Sequence, residues 1–122
     1  MLNANGEEIK KKPISFEQKI ENDIVKKGLT APRVTKEQID ILYAKLKFEV
    51  GQISSTRIIC MAALDGFIIA DGFSACVDPR NFDMGIGTEI ATKNCATAAY
   101  AKLWELEGYR LSRSLNETAE KQ

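Results

Sequence analysis

The chain has 122 residues, enough for one domain with a modest core. Lys plus Arg number 17, as do Asp plus Glu, so the formal net charge is zero. That balance excludes a protein that coats DNA or RNA, which needs a surplus of cations, but leaves room for a local pocket that takes one small anion. There is no histidine, so a Ser-His-Asp or Cys-His site cannot be built within this chain and the commonest zinc ligand is missing. No metal or cofactor is expected. The three cysteines, Cys60, Cys76 and Cys95, are odd in number and widely spaced, which points to reduced thiols in a cytoplasmic setting. They read as core filler, not as nucleophiles.

Residues 1–14 read as a polar, flexible tail containing Lys10-Lys11-Lys12, without the apolar region of a signal peptide. No apolar run reaches the roughly 20 residues that a membrane helix needs. Residues 15–116 read as one α+β domain and 117–122 as a second polar tail.

A first helix starts at Ser15, which has capping-box spacing to Gln18. Phe16, Ile20 and Ile24 form its apolar stripe, and Gly28 supplies a left-handed exit. A second capping box, Thr35 and Gln38, opens a helix with Ile39, Leu42, Tyr43 and Leu46 on one face, expected to end near Gly51. The two helices suggest an αα-hairpin.

The period then changes. Arg57–Leu64 and Phe67–Ala70 are apolar runs flanking Asp65-Gly66, a two-residue turn of the type that demands positive φ. Pairing about that turn places Cys60, Ala62, Leu64, Phe67 and Ile69 on one face. Ile59, Met61, Ala63, Ile68 and Ala70 fall on the other. Both faces are apolar, so one should lie under the chain's own helices and the second under more helix or another subunit, and because a chain of this length has little spare helix an oligomer is expected. A bend is expected at Asp71-Gly72, with the strand continuing to Val77. The last third reads as helix, weakened at Gly85 and Gly87 and open to a kink or break at Gly108.

Three surfaces could carry chemistry. In Asp78-Pro79-Arg80-Asn81-Phe82-Asp83, Phe82 offers a flat face to a base, Asn81 and Asp83 could bond base or ribose edges, and Arg80 could meet a phosphate. Equally, Asp78 or Asn81 could cap the helix and Phe82 could plug the core. Tyr109, Arg110 and Arg113 lie three and four residues apart on a helix, where two guanidinium forks beside a phenol suit a pyrophosphate and a ring. The plainer account is a solvated basic face near a helix C-terminus. Arg57 opens a strand, as a surface charge or as the lining of a groove between subunits. Neighbouring acidic residues such as Glu105 and Glu107 point to different sides of a helix and read as solvated surface. No phosphate-binding glycine loop is present.

The run Phe73-Ser74-Ala75-Cys76-Val77-Asp78-Pro79-Arg80-Asn81-Phe82-Asp83, then Ile86-Gly87, then Leu103-Trp104-Glu105-Leu106-Glu107-Gly108-Tyr109-Arg110-Leu111 resembles a family of small phage proteins. The chain is similar to the Thoeris anti-defence proteins of the first type. These phage or prophage sponges hold the cyclic ADP-ribose isomer made by bacterial TIR-domain enzymes without cleaving it. Members also capture cyclic oligonucleotide messengers in a second pocket.

The resemblance implies a cytoplasmic homo-oligomer, from a dimer up to a hexamer, with pockets between subunits. It implies no catalysis, no DNA partner and no membrane. Carried over residue by residue, it places Asn81, Phe82 and Asp83 in the ligand loop, with Phe82 stacking adenine. It places Arg110 and Arg113 on the pyrophosphate beside Tyr109. Asn94 is a further candidate on the long helix, and Arg57 a candidate for a subunit-junction pocket. A nucleotide-cleaving enzyme, whose base would have to be a carboxylate, tyrosine or lysine, and a phage structural or adaptor protein are the competing functions.

Overall fold

The computed structural model describes residues 14–120. Most of the first expected tail, residues 1–13, and the last two residues of the second lie outside the described residues. The chain divides into two compact units, one ending at Ala31 and one beginning at Pro32.

The first unit contains helix α1, Phe16–Lys26. Ser15 caps it as the spacing predicts, its hydroxyl accepting from the Gln18 amide at 3.1 Å. The reciprocal half of the capping box is not made among the described residues; the Gln18 side-chain nitrogen donates to Asn22 Oδ1. Gly28, at φ 67°, ends the helix in the left-handed region. No α1 residue is buried, and Phe16 is 73% exposed.

The second unit begins with α2, Lys36–Ala44, capped by Thr35 through the Gln38 amide at 3.2 Å. The two capped helices therefore fall on opposite sides of the division. Helix α2 stops well short of Gly51. Its last turn tightens through Lys45 N–H to Leu42 and Leu46 N–H to Tyr43, and the chain then becomes strand β1, Lys47–Gln52. Leu46, Phe48 and Val50 alternate with polar residues, a period-2 signal that overlaps the end of the helical stripe at Leu46. Cross-strand pairing, which a local pattern does not contain, decides in favour of the strand.

Strands β2, Arg57–Leu64, and β3, Phe67–Ala75, complete an antiparallel sheet in the order β1-β2-β3. The sheet has three strands where a hairpin is expected from the sequence. Asp65 and Gly66 take φ of 50° and 85°, as the turn requires. A bulge then shifts the register: Ala62 pairs with Ala70 but Ala63 with Ile68. The extra residue is Ile69, which is buried, and Ala70 packs against the core beside it. Ala70 thus lies with the covered face, not the open one. Phe67, expected among the buried residues, is 70% exposed beside the turn.

Helix α3 runs from Met84 to Glu120 without a break at Gly108 and stays helical past Asn116. Its buried stripe is Ala91, Cys95, Ala99 and Leu103, a four-residue spacing that keeps one face on the sheet. Small side chains bring helix and strand together. A Cβ on Gly72 would lie 2.3 Å from Cys95 N, and one on Gly87 would lie 2.6 Å from Ile58 Cδ1. Gly72 therefore serves close approach, while the bend expected there is replaced by the bulge earlier in the strand.

The core is Ile39, Ile58, Cys60, Ala62 and Ile69 under the α3 stripe. Tyr43 and Tyr100 meet edge-on at 5.6 Å, and Tyr100 donates to Asp40 Oδ1, which ties α2 to α3. The other face of the sheet stays open: Ile68 is 52% and Phe73 43% exposed there, beside half-buried Ile59 and Met61.

Candidate functional site

The loop between β3 and α3 is built by its own carboxylates. Asp78 accepts from the Arg80 amide at 2.9 Å and shapes the single 3-10 turn Pro79–Asn81. Arg80 closes on the same carboxylate with both Nε and Nη2, the latter at 2.7 Å. This ion pair holds the Asp78 carboxyl below its ordinary value and raises the Arg80 guanidinium. Arg80 is engaged within the loop and does not reach toward an open phosphate site. Asp83 caps α3, its Oδ1 accepting from Ile86 N–H at 2.8 Å and its carbonyl from Gly87 N–H at 2.9 Å. The cap offsets the weakness of Gly85 and Gly87 in the first turn.

Phe82 is half-buried. It packs against the core and also lines a cavity of about 160 Å³ between the end of β3 and the start of α3. Asn81 and Asp83 share that lining, so the three loop candidates converge on one space. Its remaining walls were not legible from sequence: Ile86 and Ile90 on α3, and Ser74 and Thr56 at the strand ends. Ser74 is 8% exposed, and its hydroxyl makes no hydrogen bond among the described residues. The readable signal was a hydroxyl at an inward-facing position, two residues after Gly72 on the same strand.

The other candidates lie elsewhere. Asn94 is one turn beyond Ile90 on α3 and donates to the Phe73 carbonyl at 2.9 Å, so one amide donor already fastens the helix to β3. Arg57 is exposed, pairs in register with Ala75 of the cavity wall, and has no ion pair among the described residues. Tyr109 and Arg113 line an open groove of about 310 Å³ on α3 with Asn116 and Glu117. Arg113 bonds Glu117 at 2.9 Å, and Glu117 first, then Tyr109, raises its guanidinium. Arg110 is turned to Glu107 at 2.8 Å, whose other oxygen accepts from Gln38 of α2. Each of the two arginines is held to a glutamate through Nε alone. The 26 residues from Asp83 to Tyr109 span roughly 40 Å of helix at about 1.5 Å each, so one copy of the chain cannot present both clusters to one small ligand.

Among the described residues, no group of three or more Cys, Asp or Glu is placed to hold a metal ion, and no helix is long and apolar enough to cross a membrane.

A family model described as "Phage protein (N4 Gp49/phage Sf6 gene 66) family" matches residues 16–115, well over half of the chain. The chain belongs to that phage protein family. The family match begins at the first residue of α1 and ends within the last third of α3, so it takes in the Phe82 cavity and, of the groove, Tyr109 and Arg113 but not Asn116 or Glu117. No curated protein matches the chain, and no solved structure does.

Proposed function

We propose that this phage-family protein captures a cyclic ADP-ribose isomer made by bacterial TIR-domain immune enzymes and holds it without cleaving it. The observation that carries the reading is the Phe82 cavity. It is a small space with an aromatic wall and polar groups at its edges, formed by the residue run that resembles the anti-defence sponges. Arginines and a tyrosine for the phosphates stand at the other end of α3. A ligand with a base and two phosphates meets both clusters only if a second copy brings its own α3 alongside. The absence of histidine leaves hydrolysis with weak bases only. A second pocket for cyclic oligonucleotides, near Arg57, belongs to the same reading.

The test is capture and release. The purified chain is incubated with the TIR-made cyclic ADP-ribose isomer, washed, heat-denatured, and the supernatant chromatographed. Intact ligand is expected. A converted product would make the protein an enzyme. No retained ligand and no rise in melting temperature would point instead to a structural or adaptor protein, because a ligand that binds the folded state must stabilise it.

A further inference from the structure

The Phe82 cavity has a polar floor that the stacking ring alone does not account for. At about 160 Å³ it is smaller than the roughly 300 Å³ at which pockets begin to enclose a whole drug-sized ligand. It admits one ring system of a larger molecule. Its lining has no lysine or arginine, and its one carboxylate, Asp83, is already the cap of α3. A phosphate is therefore disfavoured there and a neutral ring is suited to it.

Ser74 sits at the bottom of this space, opposite Ile58 in the sheet register and under the first turns of α3. The residue is 8% exposed and its hydroxyl has no hydrogen-bond partner among the described residues. No side-chain nitrogen or oxygen of those residues is both sealed from solvent and unpaired, so the Ser74 hydroxyl keeps its opening to the cavity. Gly87 preserves that opening: a Cβ there would lie 3.1 Å from Ser74 Oγ.

We infer that Ser74 is a specificity-determining residue, whose hydroxyl binds the six-membered-ring edge of a purine stacked on Phe82. The inference rests on the reading of this cavity as a base site. A nucleotide's ribose leaves from the five-membered ring and must exit through the mouth, so the far edge of the base reaches the floor. A hydroxyl there can donate or accept. Once a ring displaces the cavity water, a partnered Ser74 favours the complex, and a ring without polar atoms on that edge leaves it orphaned.

The experiment titrates wild type and Ser74→Ala calorimetrically with three probes. These are the TIR-made cyclic ADP-ribose isomer, adenosine 5′-monophosphate, and benzimidazole riboside 5′-monophosphate, which keeps the fused-ring shape but has no polar atom on the six-membered ring. Ser74→Ala should weaken both adenine probes about tenfold, leave the benzimidazole probe unchanged, and leave the melting temperature without ligand where it was. Equal adenine affinity in both proteins overturns the role of Ser74 while the sponge reading stands. Monophosphate binding that is weakened by Ser74→Ala, with no binding of the cyclic isomer, keeps the ring-edge role and removes the sponge reading. No binding of any probe by wild type overturns both.

Discussion

Phe82 carries two tasks that sequence reasoning treated as alternatives. It packs on the core and it walls the cavity. Removing it should therefore cost both stability and capture. A half-buried ring loses less than the ~3–5 kcal/mol of a fully buried phenylalanine, so Phe82→Ala should destabilise by ~2 kcal/mol. Phe82→Leu separates the tasks: denaturant unfolding should stay near wild type while ligand retention falls. Unfolding of the leucine variant would mean that the ring serves the core alone.

Cys95 gives a residue-scale prediction of another kind. It is fully buried, and burial first, then the neighbouring Cys60 thiol, pushes its pKa from 9.0 to about 12. Between those values the unfolded chain gives up the thiol proton while the folded chain keeps it. The stability this provides is complete below pH 9 and is lost as pH rises toward about 12. Melting curves at pH 8 and pH 10.5 should show a steeper alkaline loss for wild type than for Cys95→Ala. Equal slopes would show that the thiol stays out of the linkage.

At the scale of elements, the contact between α3 and the sheet depends on where side chains are missing. Gly72→Ala drives a methyl into the Cys95 backbone, which cannot rotate away, so the loss should reach the upper end of the ~1–3 kcal/mol typical of overpacking. Gly87→Ala meets the flexible tip of Ile58 and should cost less in a denaturant series. Gly108 has open space around its Cβ position, so Gly108→Ala should stabilise α3 by about 0.5–1 kcal/mol. A loss at Gly108 would mean that the site is occupied in an assembly. The same helix settles an alternative that the sequence left open. A glycine reads locally as a weak point, yet α3 passes through Gly108 unbroken, five residues beyond Leu103, the last residue it buries, because a single glycine costs a helix only about 1 kcal/mol.

For the whole molecule, the uncovered sheet face is the main feature. Ile68 and Phe73 lie exposed beside Met61 and Ile59, while the opposite face is sealed by α3. The proposed association of copies would use this face. Light scattering coupled to gel filtration should find the wild type above monomer mass. Phe73→Glu with Met61→Glu should return it to monomer without loss of helix signal. A wild type that is monomeric at micromolar concentration would leave the proposed association, and the pocket shared between copies, without support.

The sequence by itself determined what is local. Ser15, Thr35, Gly28 and Asp65-Gly66 act over three or four residues through backbone hydrogen bonds and positive φ, and each is where its pattern places it. It also placed Asn81, Phe82 and Asp83 in one loop, since neighbours in the chain stay neighbours in space. Only the tertiary structure decided what depends on distant partners. Lys47–Gln52 is a strand because β2 lies beside it, and Ile69 turns inward because a bulge shifts the register. Gly72 is required by a helix some twenty residues on. Ser74 belongs to the cavity for the same reason: its other walls come from Phe82, Ile86 and Ile90, and no spacing within β3 announces them. The distance between the loop and the Tyr109–Arg113 groove follows from α3 continuing unbroken through Gly108, where the residue pattern left open a choice between one helix and two.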